Sequence, residues 1–171
     1  MKIGLIAMSG VRAADAELTK FGLTLPGFVE RSQVIASLPS LALLTLAGLT
    51  PPGIEVEYRE IPDLQAEPEL PGDFDLVAIS SYTAQIRDAY RVADHYRSRG
   101  VPAVLGGPHV TVLPGEARAH GATAVVGEGE LSWPQVVEDF RLGRLQAEYR
   151  SPPGASFDLA RAPMPRYELL D

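Results

Sequence analysis

The 171-residue sequence predicts a doubly wound α/β domain. Five short runs have strand character: Ile3 to Met8, Ile54 to Arg59, Leu76 to Ser80, Ala103 to Leu105 and Ala124 to Val126. Most are apolar throughout, as parallel strands covered on both faces must be. Helical segments lie between them, and this alternation is what right-handed crossovers in a parallel sheet require.

Taken in order, the first strand is followed by a long connection, Ser9 to Ala36, and then by a helix over Ser37 to Gly48. Pro39 falls in the first turn of that helix, and its nearly all-apolar body makes it the expected most buried helix. Ile54-Glu-Val-Glu-Tyr-Arg59 alternates in polarity, so it keeps one face wet and belongs at a sheet edge. After the third strand, Ile86, Ala89, Tyr90, Ala93 and Tyr96 give the helix Ala84 to Arg99 a core face, and Gly100 suits its C-terminal left-handed turn. A short helix over Pro114 to His120 joins strands four and five. Ser132 with Gln135 reads as a capping box ahead of Trp133, Val136, Val137 and Phe140, and Gly143 ends that helix.

An edge strand second in the chain fits the order 2-1-3-4-5. The expected fold is a five-stranded, mainly parallel, Rossmann-like (flavodoxin-like) sheet with helices on both faces, the Rossmann order being the alternative. Ligands then sit at strand C-terminal ends, and the loops leaving Met8 and Ser80 should border the site. The domain is expected over 1–146. Pro152, Pro153, Pro163 and Pro165 mark 147–171 as a linker that packs nowhere and leads toward a further domain.

The net charge of −7 argues against an electrostatic grip on nucleic acid or an anionic membrane. The absence of cysteine excludes disulfides, thiolate metal sites and iron–sulfur ligation within these residues. Met1-Lys2 and the run after it lack the features of a signal peptide. The apolar run Leu41 to Leu49 is too short to span a bilayer, so a cytoplasmic protein is expected.

Chemistry is expected at four places. Ser9 to Ala36 is long for a strand-to-helix connection and carries Arg12, Lys20, Phe21, Pro26, Phe28 and Arg31; it is either a ligand loop or a surface loop. Gly106, Gly107, Pro108 and His109 follow the fourth strand, where bare backbone admits a ligand closely or simply turns. Gly127, Glu128, Gly129 and Glu130 follow the fifth. Two carboxylates there disfavour phosphate and suit amides or hydroxyls, unless the segment is only a solvated turn. Ser80, Ser81, Tyr82 and Thr83 end the third strand, where hydroxyls can bond a heterocycle nitrogen or cap the next helix. Of three histidines, His95 and His120 read as structural and only His109 as facing the site. No nucleophile elbow, phosphate loop or metal-ligand spacing is present, so no catalytic or metal residue is assigned.

Leu38-Pro-Ser-Leu-Ala-Leu-Leu-Thr-Leu-Ala47, Asp75-Leu-Val-Ala-Ile-Ser80, Val104-Leu-Gly-Gly-Pro-His109 and Val125-Val-Gly-Glu-Gly-Glu130, in that order, resemble the N-terminal cobalamin-binding domain of cobalamin-dependent radical S-adenosylmethionine proteins. The ending Pro163-Met-Pro-Arg-Tyr-Glu-Leu-Leu-Asp171 is similar to what precedes the radical domain. The resemblance implies cobalamin over the C-terminal edge of the sheet with its nucleotide tail between strands. Ser80 or Ser81 would meet the dimethylbenzimidazole, Gly106 and Gly107 would pass alongside it, and Gly127 to Glu130 would border the slot. Ser9 to Ala36 contains no histidine, where the wider superfamily carries an Asp-x-His-x-x-Gly motif, so the implied cobalamin is base-off with no histidine ligand. The resemblance further implies a parent enzyme, methyltransferase or related, continuing past Asp171 into a C-terminal radical domain with a three-cysteine [4Fe-4S] site and S-adenosylmethionine. A leucine at Gly107 is expected to block the slot and spare the fold.

Overall fold

A computed structural model of the chain describes residues 1–8, 39–62, 64 and 69–170. Its sheet contains six parallel strands, β1 (Lys2–Ala7), β2 (Glu55–Glu60), β3 (Leu76–Ser80), β4 (Ala103–Gly106), β5 (Thr123–Val126) and β6 (Glu148–Arg150), in the order β2-β1-β3-β4-β5-β6. The flavodoxin-like order is thus as expected, with β2 at the edge and a sixth strand added beyond β5. The long connection Ser9 to Ala36 lies outside the described residues.

Alternation along the buried strands divides the core into two layers. Ile6, Val77, Ile79, Leu105 and Ala124 face α2 (Ile86–Ser98), α3 (Pro108–Val112) and α4 (Pro114–Ala119). Ile3, Leu5, Leu76, Val104 and Val125 face α1 (Leu41–Leu49) and α5 (Gly129–Arg141). The strands between the edges are largely apolar on both faces, so helices pack against apolar surface on either side. Helices therefore cover both sides of the sheet.

Four local expectations are corrected. Helix α1 starts at Leu41, because the Ser40 side chain accepts from the Leu43 N–H; Pro39 precedes the cap. Nor is α1 wholly buried: Leu43, Leu44 and Ala47 enter the core, whereas Leu41 and Ala42 are exposed. Helix α5 starts at Gly129, one turn before the presumed capping box, with Ser132 buried inside it. Pro108 opens an unforeseen helical turn, α3, with proline at the first position where its missing N–H costs nothing.

The sixth strand corrects the picture of residues after Gln146. Only Tyr149 of Glu148-Tyr149-Arg150 is buried, too short a pattern to read as a strand. It is held by Asp139, which is 1% exposed and accepts from Gln135, Arg144, Gln146 and Tyr149. The chain then stays on the domain. Arg166 N–H donates to the Leu44 carbonyl at 3.1 Å, and Leu169 and Leu170 pack against the α1–α5 layer.

Burial alone would raise the Asp139 pKa, but hydrogen bonds from Arg144, Tyr149, Gln146 and Gln135 outweigh it and hold the carboxyl below its ordinary 3.8. A depressed folded-state pKa contributes stability that is present above the unfolded value and lost as pH falls through the folded one. Asp139→Asn should therefore lower the urea midpoint at pH 7, and the gap to wild type should close under acid conditions. Equal gaps at pH 7 and pH 3 would show that the buried carboxylate does not stabilise the β6 edge.

Candidate functional site

Small residues hollow the sheet at one place. On the face toward α1 and α5, β3 ends in Ala78 and Ser80, β4 in Val104 and Gly106, and β5 in Val125 followed by Gly127. The helices above do not close this gap, leaving a cleft of about 480 Å³. That lies within the roughly 300–1,000 Å³ typical of small-molecule sites. Ala42, Leu43 and Leu46 of α1 form one wall, and Gly129, Glu130 and Trp133 of α5 the other. Ala42 and Leu46, which the core does not bury, are therefore cleft lining and account for part of the apolar surface of α1; Leu41 lies outside the cleft. Trp133 ties the walls together, its indole N–H donating to Thr50 Oγ1 at 2.9 Å.

Two adjacent glycines do different work. At Gly106 a Cβ would meet only Val125 Cβ, at 3.9 Å, so its bare backbone is open space on the cleft wall. At Gly107, φ is +109° and a Cβ would stand 2.5 Å from the Ser81 carbonyl oxygen. Glycine is required there by the passing β3–α2 backbone, whatever occupies the cleft. The expectation that leucine at Gly107 would spare the fold is therefore corrected. Gly129 faces Leu46 across the mouth, with 3.7 Å from a Cβ to the leucine methyls.

The cleft is apolar apart from a few side chains, and two of these are already engaged. Thr111 Oγ1 accepts from the Gly127 N–H at 3.1 Å. Glu128 accepts from Ser156 Oγ at 3.4 Å and from the Phe157 N–H. Ser80 and Glu130 make no side-chain hydrogen bond among the described residues, which leaves a hydroxyl on the sheet wall and a carboxylate at the rim.

Eight of the residues singled out from sequence line this cleft: Ser80, Gly106, Gly107, Pro108, Gly127, Glu128, Gly129 and Glu130. Four do not. Ser81 is buried, its hydroxyl donating to the Tyr82 carbonyl, and Tyr82 is 63% exposed. Thr83 Oγ1 lies 3.1 Å from His109 Nδ1, and His109 Nε2 lies 3.1 Å from Glu116. His109 therefore packs in the α2–α4 layer and does not face the cleft, because the first turn of α3 carries it past the sheet edge. Hydrogen bonds from His109 and Tyr90 hold the Glu116 carboxyl below the ordinary glutamate range. The apolar lining from α1, together with Ala78, Val104, Val125 and Trp133, was missed, because apolar residues in core-like segments carry no separate mark. Among the described residues the cleft is lined by the ends of β3 to β5, so the end of β3 stands at its border as expected, while the loop leaving Met8 lies outside the described residues.

Among the described residues no helix is long and apolar enough to cross a membrane, and no cluster of His, Cys, Asp and Glu could hold a metal ion. The chain is 38% identical over 111 residues to bacteriochlorophyllide d C-8(2)-methyltransferase of Chlorobaculum tepidum, covering 65% of this chain and 24% of that protein. It is 29% identical over 143 residues to bacteriochlorophyllide d C-12(1)-methyltransferase of the same organism, covering 76% and 31%. It thus spans about a quarter to a third of the curated relatives it matches. No solved structure matches. The model of the B12 binding domain matches residues 36–137, which include both helical walls and all three strand ends of the cleft, and the chain belongs to that family.

Proposed function

We propose that the cleft receives the nucleotide tail of base-off cobalamin, and that the chain is the cofactor module of a larger radical S-adenosylmethionine methyltransferase. The observation that carries this reading is the apolar slot of about 480 Å³ hollowed at Gly106 over the C-terminal ends of β3 to β5. Its shape and chemistry fit the group. A flat, largely apolar heterocycle needs a dry slot between sheet and helix, with few polar groups to fix its orientation. Val104, Val125, Leu43 and Trp133 supply the apolar surfaces, Ser80 a hydroxyl for a ring nitrogen, and Glu130 an acceptor for amide or hydroxyl donors at the rim. Bound cobalamin would supply a cobalt-carried methyl group. The corrin would lie at the C-terminal edge of the sheet, with the tail passing Gly106 and Gly107.

No histidine occurs between Ser9 and Ala36, and the His109 ring is engaged by Thr83 and Glu116, which together support a lower cobalt face without a protein nitrogen. The relatives are three to four times longer than the matched region, which supports a fused C-terminal radical domain carrying the [4Fe-4S] cluster and S-adenosylmethionine. Their names describe methyl transfer to bacteriochlorophyllide d, and transfer to carbon on such a macrocycle is the reaction class proposed for the parent enzyme.

Gly106→Leu should fill the slot without a backbone collision. Overpacking of ~1–3 kcal/mol corresponds to a roughly five- to 150-fold loss of cobalamin affinity with an unchanged circular dichroism spectrum. Gly107→Ala, by contrast, should cost about 1–3 kcal/mol of folding stability through backbone strain. Unaltered cobalamin binding in a folded Gly106→Leu chain would refute the slot.

In the cob(II)alamin state, electron paramagnetic resonance should show no nitrogen superhyperfine splitting in wild type or in His109→Ala. Splitting that vanishes in the variant would identify His109 as a ligand and overturn the base-off, histidine-free assignment.

A further inference from the structure

The residues after β6 touch the cleft's two helical walls at separate points. At the first, the tail grips the β5–α5 loop. Ser151 N–H donates to the Val126 carbonyl at 3.0 Å, Ser151 Oγ to the Glu128 carbonyl at 3.1 Å, and Ser156 Oγ and the Phe157 N–H to the Glu128 carboxylate. Glu128 is the N-cap residue of α5 and lines the cleft, so these bonds fix the rim from outside. At the second point the tail crosses α1. A Cβ at Gly48 would stand 3.0 Å from Pro163 Cβ and Cγ and from the Met164 carbonyl oxygen, and Arg166 N–H donates to the Leu44 carbonyl. Glycine inside a helix is destabilising by roughly 0.5–1 kcal/mol relative to alanine. The tail passes so closely that any Cβ here would make it give way by a few tenths of an ångström, and a larger side chain would displace it further.

We propose that residues 151–170 form a clamp across α1 and the rim of α5, with Glu128 and Gly48 as positioning residues, so that occupancy of the cleft and docking of the clamp are coupled. The coupling rests on the reading of the cleft as a cobalamin site. A ligand seated between α1 and α5 holds fixed the carboxylate and carbonyls on which the clamp docks, and a docked clamp holds the walls at the spacing the ligand needs. Because the two events share one set of positions, linkage makes the effect reciprocal: the factor by which ligand favours docking is the factor by which docking favours ligand.

Cleavage by trypsin after Arg166, whose own N–H is bonded to α1, reports release of the clamp. Wild-type chain is digested with and without saturating cobalamin, and the peptides are quantified by mass spectrometry. Cobalamin affinity is measured in parallel for wild type, Gly48→Leu and Phe157→Pro. The first variant pushes the tail off α1 and the second deletes the N–H that Glu128 accepts; neither residue lines the cleft. Cobalamin should slow cleavage after Arg166 roughly fivefold or more, the lower end of ordinary coupling. Both variants should speed cleavage and weaken cobalamin binding by a matching factor. Should Gly48→Leu fail to fold, Phe157→Pro alone decides. Tight cobalamin binding with unchanged cleavage in wild type, or released clamps with undiminished affinity in the variants, would overturn the coupling and leave the cleft assignment standing. A wild-type chain that takes up no cobalamin would overturn both.

Discussion

The structure depends on a steric constraint: on one face only, three neighbouring parallel strands end in residues too small to fill the space between sheet and helices. Ala78, Ser80 and Gly106 sit one residue from Ile79 and Leu105, whose side chains are buried in the layer on the opposite face. Because side chains alternate across a strand, one sheet presents a sealed layer and an open one at the same edge. Packing density near that of organic crystals is the rule for interiors, so a persistent void among apolar walls is a departure that a ligand can use.

The sealed layer makes the open one possible. In the α2–α4 layer, His109 bridges Thr83 and Glu116, Tyr90 donates to Glu116 and stacks on His120, and His120 meets Asp94. This chain of contacts fixes the loops leaving β3 and β4 from behind, where Gly107 lets the two backbones pass closely. At the far edge, Asp139 collects four donors to seat β6, and β6 launches the tail toward the rim of the cleft. Polar groups therefore serve as supports around an apolar site, with Ser80 and Glu130 the side chains facing it without a protein partner among the described residues.

Much of this was legible because parallel strands buried on both faces leave an unmistakable apolar record. The order of the first five strands followed from that record, and the cleft-lining ends of β3, β4 and β5 from it and from the glycines after them. Three things were hidden. Glu148-Tyr-Arg150 buries a single side chain and owes its place to Asp139, a long-range contact with no local signature. His109 follows Gly-Gly-Pro and reads in sequence as site-facing, but Pro108 opens a helical turn that swings it to the other layer. The apolar surplus of α1 read as extra burial, since hydrophobicity alone cannot distinguish a core face from the wall of a cleft. The prolines after β6 spoke for an unattached segment, yet Gly48 and Glu128 receive it, and neither residue announces that role in sequence.

Methyl-selective NMR during a cobalamin titration tests most directly that the open layer, and not the sealed one, is the binding face. The account predicts saturable shifts at Ala78, Val104, Val125, Leu43 and Leu46, with Val77, Leu105 and Val110 on the opposite face unmoved. Shifts confined to the α2–α4 layer, or saturable binding with no shift at Val104 and Val125, would contradict it.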